Sequence, residues 1–269
     1  MIQVVDDAGR DLSLPHAAER IVSLVPSLTE TICELGCTRS LVAVTRHCTM
    51  PAAGLETVRR IGGTKNPDIG AIVDSDPDLV IVNSEENRKD DFEALTRAGL
   101  NVFVTYPRRV ADVPDLVRRL GQIVGSERAA ATAAAELEHT LAGIAAVAEL
   151  RRVFCPIWKN PWMTFNAETF ADDLLSLVVG QNVFGDRQER YFEIALEEVA
   201  AAQPDVILLP DEPYVFGRKD LAAMAPLSAT PAWRDERIYF VDGKALFWFG
   251  TRTVAAIPYL REIVAAIPA

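Results

Sequence analysis

The sequence predicts an α/β chain of two lobes, each built on a mainly parallel sheet, joined by one long rigid helix. Three observations carry this. Short apolar runs alternate with helical stretches, a rhythm that places helices on the faces of a parallel sheet. The rhythm occurs twice, once on each side of the stretch Ser126 to Leu150. That stretch is dominated by alanine, lacks proline and has Gly143 as its single interior weak point. Alanine is the best helix former because it loses no side-chain entropy. Residues 1–125 are therefore expected as the N-terminal lobe, 126–150 as the interlobe helix and 151–269 as the C-terminal lobe. The alternative is an ordinary crossover helix inside one large sheet.

Each element has a local reason. Ile2 to Val5 and Asp11 to Leu14 flank the turn residues Asp7 to Arg10 as a hairpin. Arg20 to Val25 is a short apolar run, as expected of a buried parallel strand. Ser27 and Glu30 form an S-x-x-E capping box, so a helix is expected from there to Leu35, closed by Gly36. Leu41 to Thr45, Asp78 to Asn83 and Asn101 to Thr105 are the next strands. A short helix from Asp68 to Val73, one ending at Ala98 and one from Asp112 to Val124 alternate with them.

Ser126 then stands as N-cap of the interlobe helix, with Glu127 at its positive end. Leu137, Leu141, Ile144 and Val147 form its apolar stripe. At 1.5 Å per residue the helix would span roughly 35 Å.

In the second lobe the strands are expected at Arg152 to Pro156, Asp205 to Leu209 and Arg237 to Val241. Helices are expected at Thr169 to Val179, at Ile194 to Ala202 and from Thr251 to Ile267, the last carrying Pro258. Asn182 to Phe192 reads as a polar loop with an aromatic tip, and Gly243 to Gly250 as a loop holding Trp248.

Composition narrows the function. The 269 residues are 49% hydrophobic and 24% charged, as in globular proteins. No apolar run approaches the ~20 residues that span a bilayer. A net charge of -11 argues against nucleic acid, whose phosphates need clustered Lys and Arg. The opening residues hold no basic segment followed by an apolar one, so a cytoplasmic location is expected as written. Removal of a leader would make it periplasmic or otherwise extracytoplasmic. Cys33, Cys37, Cys48 and Cys155 match neither CxxC nor zinc-ribbon spacing.

In parallel α/β sheets, ligands sit beyond the carboxyl ends of the strands. The first lobe offers Arg46, His47, Lys65, Asn66, Glu85, Asn87, Arg88, Tyr106 and Arg108 there. The second offers Trp158, Trp162, Phe165, Tyr191, Phe192, Tyr214, Phe216 and Trp248, of which Trp158, Trp162, Tyr191, Phe192 and Trp248 are the expected ligand-enclosing rings. A polar, partly cationic wall and an aromatic wall suit a large, flat, amphiphilic ligand with polar side groups. For any single tryptophan, ordinary packing is the competing reading. Three scattered histidines make a dedicated metal site a poor fit. His47 is the candidate ligand only for a metal already carried by a chelate. His47, Cys48 and Cys155 as a cluster, or a surface histidine with two packed thiols, are the two readings of that set. No nucleophile elbow, P-loop or dinucleotide-binding motif is present, so no catalytic residue is assigned.

The runs RIVSLVPSLTE (Arg20 to Glu30) and GGTKNPDIGAIVDSDPDLVIV (Gly62 to Val82), together with the long helix, resemble the class III substrate-binding proteins of ABC importers. These are the helical-backbone receptors for vitamin B12, siderophores and haem. PIWKNPWMTF (Pro156 to Phe165) and EENR (Glu85 to Arg88) resemble the cobalamin-binding branch. The resemblance covers nearly the whole chain. It implies two Rossmann-like lobes, a ligand held between them, and a metal, cobalt or iron, supplied by the ligand rather than by a cofactor of the protein's own. It implies docking on an ABC permease through one acidic residue per lobe. Glu197 matches the second-lobe position; the first-lobe position falls on Gly70, with Asp68 as its substitute. A tryptophan of the family's first-lobe loop falls on Thr64. The expectation is a non-enzymatic receptor for a corrinoid such as cobalamin. The alternative is a cytoplasmic tetrapyrrole-handling or chelatase-like enzyme on the same scaffold.

Overall fold

The computed structural model describes residues 1–144 and 151–265 of the chain. They form two compact units. The first comprises Met1–Pro107, Ala111–His139 and Phe249–Arg252. It opens with the hairpin β1 (Ile2–Val5) and β2 (Asp11–Leu14), followed by β3 (Ile21–Ser23), α1 (Pro26–Glu34), β4 (Leu41–Val44) and β5 (Arg59–Arg60). Then come α2 (Ile69–Val73), β6 (Leu79–Asn83), α3 (Lys89–Arg97), β7 (Val102–Thr105), α4 (Val113–Val124) and α5 (Glu127–Ala142).

Five of these strands form a parallel sheet in the order β5-β4-β3-β6-β7. Strands β3, β6 and β7 are buried along their whole length, as helices on both faces require. Val22, Leu24, Ile72, Val80, Val82 and Leu95 are among the side chains that fill the core.

The hairpin seals the outer edge of β7. The Asp7 N–H donates to the Val104 carbonyl (3.0 Å), and the Val104 N–H donates to the Asp6 carboxylate (3.3 Å). The Tyr106 N–H reaches Asp7 (2.6 Å), and the Arg10 guanidinium donates to the Val102 carbonyl (3.1 Å).

Helix α1 departs from the expected capping box. It begins at Pro26, with Val25 as N-cap, because proline already fits the first helical position. Ser27 thus lies inside the helix, and Glu30 turns to Arg252, whose Nε donates to Oε2 at 2.7 Å. The Thr251 N–H donates to Thr31 Oγ1 at 3.3 Å. Gly250, at φ +109°, lies so close that a Cβ there would stand 2.2 Å from Thr31 Oγ1.

Helix α5 is shorter than the sequence suggested. It ends at Ala142, just before Gly143, where the missing Cβ makes continuation costly. Its length is about 24 Å at 1.5 Å per residue, and the expected continuation over 145–150 lies outside the described residues. Its buried face begins with Ala130 and Ala134 before reaching Leu137. Ser126 precedes the helix and accepts the Ala130 N–H, but its hydroxyl donates to the Leu35 carbonyl at 2.7 Å.

The second unit comprises Arg108–Val110, Thr140–Trp248 and Thr253–Ala269. Its elements are β8 (Arg151–Phe154), β9 (Met163–Phe165), α6 (Phe170–Val178), β10 (Gly180–Asn182), β11 (Tyr191–Glu193) and α7 (Leu196–Ala201). They continue with β12 (Val206–Pro210), α8 (Pro231–Arg234), β13 (Ile238–Val241), α9 (Gly243–Phe247) and α10 (Thr253–Ala265). A parallel sheet runs β10-β8-β12-β13, and β9 pairs antiparallel with β11. Part of the expected loop over 182–192 is therefore strand, and the expected loop over 243–250 holds α9. Phe154, Phe184, Phe192, Ile207, Leu209 and Phe216 centre the core.

The contact of α4 with α5 permits a direct test. A Cβ at Gly121 would lie 2.2 Å from the Ala130 Cβ. Gly121→Ala is expected to destabilise the protein by roughly 1–3 kcal/mol despite its better helix propensity. Urea denaturation would measure this, and adding Ala130→Gly is expected to recover part of the loss.

Candidate functional site

In the first unit the strand ends are held by side chains that bond to backbone. Asn83 closes β6. Its Oδ1 accepts the N–H groups of Glu85 (2.8 Å) and Glu86 (3.1 Å), and its own N–H donates to Asn87 Oδ1 (2.8 Å). Asn87 Nδ2 in turn donates to the carbonyls of Thr64 (2.9 Å) and Leu24 (3.3 Å). Two buried asparagines thus tie the loops after β3 and β6 to the glycine loop preceding α2.

That glycine loop carries the cationic group. Gly62 takes φ +92°, which suits glycine alone among common residues. At Gly63 a Cβ would meet Asn66 Oδ1 at 2.5 Å and Arg46 Nη2 at 2.9 Å. The close approach lets Arg46 donate to Asn66 Oδ1 (3.2 Å), while Lys65 Nζ donates to the Glu85 carbonyl (2.5 Å). Arg46, Lys65 and Asn66 are all exposed, so the structure brings three of the expected polar residues into one solvent-facing group. His47 is exposed beside Arg46, with its N–H on Thr45 Oγ1 (3.3 Å). Arg88 is the N-cap residue of α3 and pairs loosely with Asp90 (3.4 Å).

In the second unit the aromatic residues sort into two groups. Trp158 and Trp162 flank a tight turn after β8, whose ends bond through the Met163 N–H to the Trp158 carbonyl (3.1 Å). Asn160 turns the chain at φ +63°, a conformation asparagine tolerates. Trp158 is 43% exposed and meets Tyr214 edge to face, with centroids 5.8 Å apart. Trp162 stacks on Phe216 at 5.8 Å and 10°, and Tyr214 lies 4.6 Å from Phe216. Lys159, between the two tryptophans, pairs with buried Asp220 at 2.7 Å. Tyr191 is exposed on β11 with the Arg190 guanidinium 6.0 Å from its ring.

Phe192 and Trp248 correct the sequence expectation. Phe192 is packed in the core edge-on to Phe184 at 6.2 Å, because alternation along β11 turns it inward while Tyr191 faces out. Trp248 is buried, and its indole N–H donates to Glu212 Oε2 at 3.0 Å. Tyr214 and Phe216, also expected after the strands of the second lobe, take part in the aromatic group.

The thiol readings separate as clearly. Cys48 is buried under the hydroxyls of Thr29 (3.1 Å) and Thr45 (3.2 Å), and burial pushes its thiol up. Cys155 is buried too, and burial alone pushes its thiol far up. Among the described residues no three His, Cys, Asp or Glu side chains gather as a metal site. Of the two readings of His47, Cys48 and Cys155, the described residues therefore support a surface histidine with two packed thiols. Asp68 caps α2 by accepting the Ala71 N–H (2.9 Å), and Glu197 lies exposed in the first turn of α7.

Alkylation with iodoacetamide is expected to label only the half-buried Cys33 and Cys37 in the native protein and all four cysteines in denaturant. Peptide mass mapping would check it; native labelling of Cys48 or Cys155 would contradict this burial.

Comparison with known proteins agrees with this architecture. A family model described as periplasmic binding protein matches residues 21–245. The vitamin B12-binding protein of Vibrio cholerae is 26% identical over 221 residues, 81% of this chain and 80% of that protein. Its Yersinia pestis counterpart is 26% identical over 202 residues, 74% of this chain and 72% of that protein. Among solved structures, the periplasmic haem-binding protein of Roseiflexus sp. RS-1 superposes with a TM-score of 0.82 at 26% identity, covering 92% of this chain and 98% of the other. The periplasmic vitamin B12-binding protein of Vibrio cholerae gives a TM-score of 0.80 at 22% identity, over 93% of this chain and 98% of its own. Among the described residues no helix is long and apolar enough to cross a membrane. A family match over most of the chain, on a scaffold of two parallel-sheet units, places this protein in the periplasmic binding protein family, as a solute-binding protein and not an enzyme.

Proposed function

We propose that this chain is the receptor of an ABC importer for a corrinoid, with cobalamin as its foremost ligand. The observation that carries the reading is the division of chemistry between the two units. One presents the exposed polar group Arg46, Lys65 and Asn66 at its strand ends; the other presents Trp158, Trp162 and Tyr214 at its own. A corrinoid has a broad, largely apolar face and a periphery of amides. The aromatic rings suit the face, and the cationic and amide side chains suit the periphery. In this reading both groups contribute to binding one ligand, with Arg88 and Tyr191 at its margin. Cobalt or iron arrives as part of the cargo. His47, exposed beside Arg46, would be the protein's ligand to that chelated metal. Identity of 26% to vitamin B12-binding proteins over about four-fifths of the chain supports the corrinoid.

Haem is the second reading, favoured by the likeness to the Roseiflexus haem-binding protein at the same identity. Both ligands are flat metal chelates, so the scaffold suits either. The receptor would work outside the cytoplasm and dock on its permease through exposed Glu197 and, on the first unit, Asp68. Because Asp68 also caps α2, its carboxylate would serve both tasks.

Absorbance titration of purified protein with cyanocobalamin, then gel filtration, tests the ligand. One equivalent co-eluting with a shifted spectrum is expected; haem co-eluting in its place would move the reading to haem. Trp158→Ala is expected to weaken cyanocobalamin binding by roughly 1–3 kcal/mol in calorimetry. An unchanged affinity would remove Trp158 from the site.

A further inference from the structure

We propose that Asp220 is the positioning residue of the aromatic group, holding its rings in their binding arrangement before a ligand arrives. The proposal rests on the receptor reading above.

Asp220 is only 1% exposed, yet it joins its own stretch of chain to two others. Its Oδ1 accepts from Lys159 Nζ at 2.7 Å and from the Tyr214 hydroxyl at 3.3 Å. Its Oδ2 accepts the Gly217 N–H at 2.9 Å. Lys159 belongs to the turn after β8, Tyr214 to the loop after β12, and Asp220 to the 3-10 segment Arg218–Leu227. The three stretches are joined at one carboxylate.

The residues it grips are the neighbours of the rings. Lys159 sits between Trp158 and Trp162 in the chain, with Nζ 5.8 Å from the Trp162 centroid. Tyr214 is itself the edge-to-face partner of Trp158 and lies against Phe216, the stacking partner of Trp162. Both ring pairs therefore depend on the position of one carboxylate.

A buried ion pair is a weak source of stability, because desolvation offsets its attraction, whereas breaking it leaves a charge without compensation. Geometry is the better reason for it here. Burial pushes the Asp220 carboxyl up, but the Lys159 ammonium and the Gly217 amide outweigh burial and hold it below the usual carboxylate range. It is thus ionised at neutral pH and keeps Lys159 in place. Rings fixed before binding lose little freedom when a ligand arrives, which favours affinity.

The test compares wild type with Asp220→Asn, Lys159→Met and the double variant. Near-ultraviolet circular dichroism of the ligand-free protein reads the ring arrangement; titration with cyanocobalamin and with hemin reads affinity. Each single variant is expected to keep its far-ultraviolet spectrum, lose near-ultraviolet amplitude and bind about tenfold more weakly. The double variant is expected to bind no more weakly than Asp220→Asn, since the Lys159 ion pair is already lost in that variant. A lower melting midpoint with unchanged affinity and near-ultraviolet spectrum would mean a purely stabilising pair and overturn the proposal. Should Asp220→Asn fail to fold, Lys159→Met decides alone, because it leaves Asp220 on Tyr214 and Gly217. If wild type binds neither probe, the receptor reading fails, while the ligand-free spectra still decide whether Asp220 positions the rings.

Discussion

A buried parallel strand must hand its last peptide groups to something other than water, and in this protein asparagine takes that task in both units. At the end of β6, Asn83 and Asn87 receive and return backbone bonds across three loops. At the end of β10, Asn182 does the same: its Nδ2 donates to the Phe165 carbonyl and to Asp172, and its Oδ1 accepts the Phe184 N–H. An amide offers donor and acceptor together, so it can substitute for a missing strand neighbour on both counts. Loops anchored in this way present their polar or aromatic side chains from a fixed base. The polar and aromatic surfaces follow from the backbone accounting at the strand ends.

Much of the fold was legible because it depends on local signals. The apolar runs of β3, β4, β6 and β7 have the length and neighbours of buried parallel strands, and Gly36 and Gly125 end their helices in the left-handed conformation. Where the reading failed, a non-local contact decided. The Ser27–Glu30 box is plausible from spacing alone, but Pro26 moves the helix start and Arg252, far along the chain, takes the Glu30 carboxylate. The short pairs β9 with β11 and β10 with β8 gain their hydrogen bonds from distant partners, and their sequences carry little periodicity.

The candidate site divides in the same way. Arg46, Lys65 and Asn66 were legible because exposed polar residues beside two glycines have few structural explanations. Phe192 was misjudged despite an available signal, since its neighbours Tyr191 and Glu193 both face out. Trp248 offered none: its burial rests on Glu212, thirty-six residues earlier in the chain. Asp220 was invisible for a related reason. It follows Arg218 and Lys219 at the start of a 3-10 segment, and nothing there announces a buried carboxylate. Positions that touch a ligand leave marks in local composition, whereas positions that organise them are defined by contacts.

The hairpin at the start of the chain has a consequence for behaviour in concentrated solution. Open sheet edges are templates for adding strands from other molecules. On one side of the five-stranded sheet, Asp6, Asp7 and Arg10 already occupy the outward peptide groups of Val102, Val104 and Tyr106. On the other side, β5 is two residues long and consists of two exposed arginines. A second copy finds neither free hydrogen-bonding groups nor a flat, uncharged ribbon to add to. This sheet is thus guarded against strand addition at both margins, and crowding many copies together does not by itself recruit it into a fibre.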